Sequence, residues 1–151
     1  KFKINNDRIV FIKKTFFQDH LSRHSLADLF LDTFNYNAHT TAVDALWAGL
    51  PIITKPGNSF SSRVCGSILK FFDLDELILK NKDDYYNKAL ELAENRHKLK
   101  EIKSKIVNYK NSEKYFDTKN YTLNLEKAYK KIHSMRVNEN KFDNIYIKDT
   151  E

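Results

Sequence analysis

The sequence predicts an α/β fold, with a short parallel sheet of about three strands followed by a helical C-terminal region. Two observations carry this reading. From Arg8 to Leu79 short apolar runs (RIVFI, LFLDT, PIIT) alternate with helical patterns (QDHLSRHSLA, TTAVDALWA, SFSSRVCGSILKFF), and after Asn81 the pattern is helical only. The order strand, helix, strand, helix, strand, helix implies right-handed crossovers and a doubly wound sheet. So small a sheet reads as the back half of a Rossmann-like unit whose front half lies upstream of Lys1, which makes the chain an expected fragment. Residues 1–80 are expected to form the partial lobe, 81–136 helices packing on it, and 137–151 a tail.

Each element has its own justification. Ile9 to Ile12 and Leu29 to Leu31 are too short for helices and lack the polar alternation of a half-exposed strand, which suits buried parallel strands. Thr41 and Asp44 are spaced as helix N-cap and N3, close to a capping box, with Val43, Leu46, Trp47 and Leu50 as the buried stripe. Gly49 and then Pro51 end that helix. Arg63 starts the next one after a Pro-Gly turn. Beyond Asn81, Tyr86, Leu90 and Ala93 share one face, Leu99, Ile102 and Ile106 a second, and Tyr121, Leu125, Ala128, Tyr129 and Ile132 a third. Ser112 and Thr118 are the expected helix starts. The tail from Val137 to Glu151 has few apolar residues and no period, so it is expected to fray or to pack on something else.

Composition narrows the function classes. A chain of 151 residues fits one modest domain. The net charge of +6 comes from lysines mixed with acids along helices, the pattern of a solvated surface rather than of a nucleic-acid site. Cys65 is the single cysteine, so no internal disulfide can form, and its small, apolar neighbours suit a core position in a reduced compartment. No run is long enough to cross a bilayer and KFKINNDR is no secretory signal, so a cytoplasmic protein is expected.

The chemistry concentrates in NYNAHTTAVDALWAGLP, Asn35 to Pro51. A helix that starts just after LFLDT has its N-terminus at the carboxyl edge of the sheet, where open α/β folds bind ligands. Free amides and the helix dipole attract phosphate there, and the hydroxyls of Thr40 and Thr41 add donors. Asp44, four residues after Thr40, lies on the same face and can accept from sugar hydroxyls. His39, Thr40, Thr41 and Asp44 together suggest a cradle for a nucleotide diphosphate.

The same block carries a resemblance. NAHTTAVDALWAGLPIIT, preceded by HLSRHSLADLFLDT and followed by PGNSFSSRV, resembles the C-terminal catalytic lobe of the O-GlcNAc transferase and SPINDLY-type family, and YFDTKNYTLNLEKAYKKI resembles its closing helix. The resemblance implies the last lobe of a two-lobed GT-B glycosyltransferase. Such enzymes move a sugar from a UDP-sugar to serine or threonine of proteins, need no metal, and commonly carry tetratricopeptide repeats in front. By that resemblance His39, Thr40 and Thr41 hold the UDP phosphates, Asp44 contacts the ribose, His20 stacks on uracil and Arg23 lies close to the base. Phe17 stands where animal-type members have a lysine, with Lys13 and Lys14 as candidates to replace its charge. The acceptor side belongs largely to the other lobe, so no catalytic base is named and this chain alone is expected to be inactive.

Other residues attract plainer readings. His24, His97 and His133 read as structural or solvated. Ser59, Ser61, Ser62 and Arg63 could assist phosphate at a second helix N-terminus, but a local cap and an arginine ion pair explain them slightly better. Asp73-x-Asp75 has the spacing of a diphosphate-bound metal site, yet it sits between helices as a cap with an acidic first turn, and no metal is expected. Tyr85, Tyr86, Tyr109, Tyr115, Phe116, Tyr121 and Tyr129 alternate with lysines at helical spacing, which favours core packing over stacking on nucleic acid. The rival to a transferase is a non-catalytic binding module: a degenerate lobe kept for protein contacts, or a basic region for nucleic acid.

Overall fold

A parallel strand pair frames the fold in this computed structural model, which describes residues 4–110, 112, 117–139 and 143–147. Strands β1 (Phe30–Leu31) and β2 (Ile52–Ile53) pair with Phe30 opposite Ile52 and Leu31 opposite Ile53. A third lane is a single parallel bridge between Thr54 and Ile78, held by Thr54 N–H to the Leu77 carbonyl (3.0 Å) and Leu79 N–H to the Thr54 carbonyl (2.8 Å). Helix α2 (Thr40–Trp47) connects β1 to β2, and α3 (Val64–Phe71) connects β2 to the bridge. With α1 (Phe17–His24), α4 (Lys82–Glu94), α5 (Arg96–Lys110) and α6 (Thr118–Ser134), six α-helices lie among the described residues, so the molecule is mixed α/β but mostly helical.

The third lane corrects the sequence reading. Ile9 to Ile12 form no strand and no core: Val10 is 79 % and Phe11 92 % exposed. A strand is defined by the neighbour it pairs with, and among the described residues nothing pairs with this segment. Leu31 is also exposed, so β1 is buried on less than both faces, whereas Ile52 and Ile53 are fully buried as expected.

The chain divides into two compact units, Lys1–Tyr109 and Lys110–Glu151. In the first, the core gathers Ala42, Ala45 and Leu46 of α2, both β2 isoleucines, Cys65 and Leu69 of α3, Leu74 and Leu77. Each fully buried aliphatic side chain there contributes about 1.5–3 kcal/mol. Asn81 caps α4 by accepting the Asp84 N–H (2.8 Å). Gly49 ends α2 with φ +81°, a left-handed turn that a side chain would strain.

Several helix faces differ from the expected ones. On α2 the inner stripe is Ala42, Ala45 and Leu46, followed by Leu50, while Val43 and Trp47 are exposed, because alanines let the helix approach the sheet closely. On α4 the expected face of Tyr86, Leu90 and Ala93 is exposed, and the side turned inward runs through Tyr85, Ala89 and Leu92. Fully buried Leu92 and the Tyr85 hydroxyl, which donates to the Asp32 carbonyl (3.0 Å), decide that rotation. Leu99, Ile102 and Ile106 of α5 are buried as expected. The Asp73-Asp75 segment has Asp73 at φ +52° and a 3-10 turn Asp75–Leu77 that opens on Leu74 without a side-chain cap, so neither aspartate caps it.

In the second unit Asp117, not Thr118, caps α6 by accepting the Asn120 N–H (2.9 Å). Tyr121 and Tyr129 are exposed on it, as Tyr86 is on α4, against the core packing expected of these aromatics, and Leu125 and Ile132 are exposed beside them. Met135–Glu139 continue as a π-helical turn, and residues 143–147 have no regular structure. Tyr115, Phe116 and the rest of the tail, like any helix start at Ser112, fall on or run into residues outside those described.

Candidate functional site

The six expected site residues fall on two packed helices. His20 and Arg23 lie on α1, Thr40, Thr41 and Asp44 on α2, and His39 is the residue from which α2 starts. The expected cap is absent: His39 occupies the N-cap position with no side-chain cap bond, and Thr41 lies inside the helix. Thr40 and Thr41 are exposed, and among the described residues their amides and hydroxyls have no hydrogen-bond partner. The start of α2 is therefore open, with donors facing outward.

His39 is held from both sides. Its Nε2–H donates to the Ser61 carbonyl (3.2 Å), its ring stacks on Tyr36 (centroids 4.8 Å, planes 18° apart), and the Phe60 edge meets it at 6.2 Å. Asp32 holds the loop that delivers it. This buried carboxylate, at the end of β1, accepts the Thr33 N–H (2.9 Å) and the Ala38 N–H (2.7 Å) on one oxygen and the Thr54 hydroxyl (2.5 Å) on the other. Asn37, also buried, donates its side-chain amide to the Thr33 carbonyl (2.7 Å), and its own Oδ1 has no partner among the described residues. Sequence reasoning named neither Asp32 nor Asn37. The available signal was a carboxylate closing an apolar run, because a charge there needs fixed donors.

On α1 the Arg23 guanidinium donates to Nδ1 of His20, which fixes the proton on Nε2, and also to the Lys13 carbonyl (3.3 Å). Lys13 thus meets α1 through its backbone, and Phe17 is exposed. Burial first, then the charges of Arg23 and His24, lower the His20 pKa against the opposing pull of Asp44. That lowering favours the neutral ring, which presents a flat face. His24 is structural as expected: its Nδ1–H donates to the His20 carbonyl (2.7 Å) and its ring meets His20 edge-on.

The serine cluster forms a local cap. Ser59 and Ser62 make a reciprocal capping box for the turn Phe60–Ser62, and Arg63 donates to the Asn58 carbonyl (3.2 Å) rather than to a carboxylate. Beyond the carboxyl ends of the strands a cleft of about 680 Å³ is lined by Thr33, Phe34, Tyr36, Lys55, Ser59 and Lys82, among others. None of the six expected residues is part of that lining, but Tyr36 joins the cleft to His39. Cys65 is fully buried and burial pushes its thiol pKa up, as befits a core residue. Among the described residues no cluster of metal-ligating side chains occurs and no helix is long and apolar enough to cross a membrane.

Residues 1–125 match Glycosyl transferase family 41. The chain is 35 % identical over 130 residues to the probable UDP-N-acetylglucosamine–peptide N-acetylglucosaminyltransferase SEC of Arabidopsis thaliana, covering 85 % of this chain and 13 % of that protein. It is 35 % identical over 123 residues to the UDP-N-acetylglucosamine–peptide N-acetylglucosaminyltransferase of Caenorhabditis elegans, covering 82 % and 11 %. A lysine-to-methionine mutant of the Thermobaculum terrenum O-GlcNAc transferase superposes with a TM-score of 0.71 at 30 % identity, over 76 % of this chain and 22 % of that one. The chain thus spans a small part of the length of its relatives, and it belongs to glycosyl transferase family 41, in a region homologous to the catalytic part of O-GlcNAc transferases.

Proposed function

We propose that this chain seats the UDP part of a UDP-sugar in a protein O-glycosyltransferase, which transfers N-acetylglucosamine or a related sugar to serine or threonine of proteins. The observation that carries the reading is the open start of α2, where two threonines offer uncommitted amides and hydroxyls beside a firmly held histidine. The names of the relatives, UDP-N-acetylglucosamine–peptide N-acetylglucosaminyltransferases, supply the donor and the acceptor class.

Sugar transfer leaves UDP with growing negative charge on its diphosphate. Fixed donors at a helix N-terminus stabilise that charge without reorganising. In this reading His39, Thr40 and Thr41 meet the phosphates, Asp44 accepts from the ribose hydroxyls, and the neutral ring of His20, oriented by Arg23, lies against uracil. Residues 1–80 form the nucleotide lobe and 81–136 the supporting helices. The acceptor side is built largely by an N-terminal lobe of the same enzyme, with tetratricopeptide repeats before it, and the chain alone is inactive. No metal enters the scheme, and the setting is cytoplasmic.

Calorimetric titration with UDP tests this. Changing Thr40→Ala together with Thr41→Ala should weaken UDP binding by about tenfold or more, since each position loses a charge-assisted hydrogen bond. Unchanged UDP affinity removes the threonines from the site. The rival, a non-catalytic module, predicts no UDP binding by the unchanged chain. Strongly salt-dependent oligonucleotide binding in its place would identify the basic variant of that rival.

A further inference from the structure

The cleft beside His39 is chemically distinct from the helix start. Its lining includes the Phe34 ring, and the ammonium groups of Lys55 and Lys82 each lie 5.7 Å from that ring's centroid. Among the described residues neither ammonium pairs with a carboxylate. Lys55 donates only to the Pro56 carbonyl (3.3 Å), and the nearby Asp84 carboxylate accepts from Asn81. The Asp32 carboxylate has its oxygens taken by Thr33, Ala38 and Thr54. Lys82 is moreover the first residue of α4, where the helix dipole disfavours a cation. Local rules broken in this way tend to mark function. Two ammonium groups beside one aromatic ring, neither held in an ion pair among the described residues, are relieved by an anion from outside.

The rest of the lining defines that anion. Asn35 and Asn58 add side-chain amides to a cleft of about 680 Å³, more than a single phosphate fills and suited to a length of polypeptide, while the Thr33, Ser59 and Ser62 hydroxyls are held by the protein's own groups. Gly57 packs directly on Ser62, where a Cβ would sit 2.5 Å from Ser62 Oγ. Tyr36 lines the cleft and stacks on His39, so an occupant lies next to the diphosphate seat. We infer that this cleft binds an acidic side chain, aspartate or glutamate, close to the serine or threonine of the acceptor polypeptide. The inference rests on the donor reading above for its place in the reaction, but the binding can be read on its own.

The test compares a short serine peptide flanked by glutamates with the same peptide flanked by glutamines, each titrated into the unchanged chain and into Lys55→Gln/Lys82→Gln. The glutamate peptide should bind about tenfold more tightly to the unchanged chain. The preference should disappear in the double variant and shrink at about 1 M salt, where charges are screened beyond about 3 Å. UDP affinity should change by less than about twofold, since neither lysine is at the helix start. Equal binding of the two peptides, or a preference that survives the double substitution, overturns the inference. So does a tenfold loss of UDP affinity in the variant, which would give the lysines to the donor. Should UDP fail to bind the unchanged chain while the glutamate preference persists, the donor reading falls and the acidic-peptide site stands.

Discussion

At the residue scale Asp32 is the hinge between core and site. Its carboxylate ties β1, β2 and the loop before His39 through three hydrogen bonds, and its backbone carbonyl accepts Tyr85. Asp32→Ala leaves buried donors unsatisfied and should cost about 2–4 kcal/mol, whereas Asp32→Asn keeps an oxygen for the two amides and should cost about 1 kcal/mol, both read by urea unfolding. Equal costs would mean that the hydrogen bonds do not decide the loop. Tyr85 gives a pH signature. Burial first, then the nearby Asp32 charge, push its phenol up to about 12. A raised acid favours the protonated folded state, so this stability is fully present below the ordinary tyrosine value of about 10 and is lost as pH rises from there towards 12. Tyr85→Phe should flatten that alkaline fall in the unfolding free energy.

At the element scale α2 separates a capped helix from a binding one. If Thr41 capped it, removing the hydroxyl would cost about 0.5–2 kcal/mol. Here the hydroxyl is exposed and bonded to nothing among the described residues, so Thr41→Ala should shift stability by less than about 0.5 kcal/mol in denaturant melts. A larger loss would restore the capping role. The opposite end behaves differently. Gly49 takes φ +81°, with room for a methyl 3.7 Å from Val107, so Gly49→Ala should cost about 1–2 kcal/mol from backbone strain rather than from a clash. The end of α2 at Gly49 was legible in NAHTTAVDALWAGLP, since glycine and proline are local signals, but its start was read two residues late, with Thr41 rather than His39 at the N-cap. On its buried face Leu46 and Leu50 were legible, but Ala42 and Ala45 were not, because alanines buried against a sheet look no more apolar than an exposed valine and tryptophan.

At the scale of the whole molecule the same division holds. The alternation of elements and the open helix start could be read from sequence because neighbours in the chain determine them. The Lys55-Phe34-Lys82 cleft and the Thr54-Ile78 bridge could not, because folding alone brings those positions together. Ile9 to Ile12 shows the reverse failure: its composition reads as strand, and the strand it would pair with is not supplied by the described residues. The consequence is physical. Val10, Phe11 and Ile12 present exposed apolar surface on a segment without regular structure, next to exposed Phe16 and Phe17 at the start of α1, which is a template for edge pairing. The 151-residue chain should therefore self-associate reversibly with concentration in sedimentation velocity. Val10→Ser with Phe11→Ser should weaken that association by about tenfold, because the buried apolar area that drives it is removed. The exposed stripe on α6 is the competing source, and Tyr121→Ser with Ile132→Ser addresses it separately. If the α6 pair abolishes association and the Val10-Phe11 pair leaves it unchanged, the unpaired segment is not the sticky edge. If the Val10-Phe11 pair alone yields monomers, the segment behaves as a strand awaiting a partner.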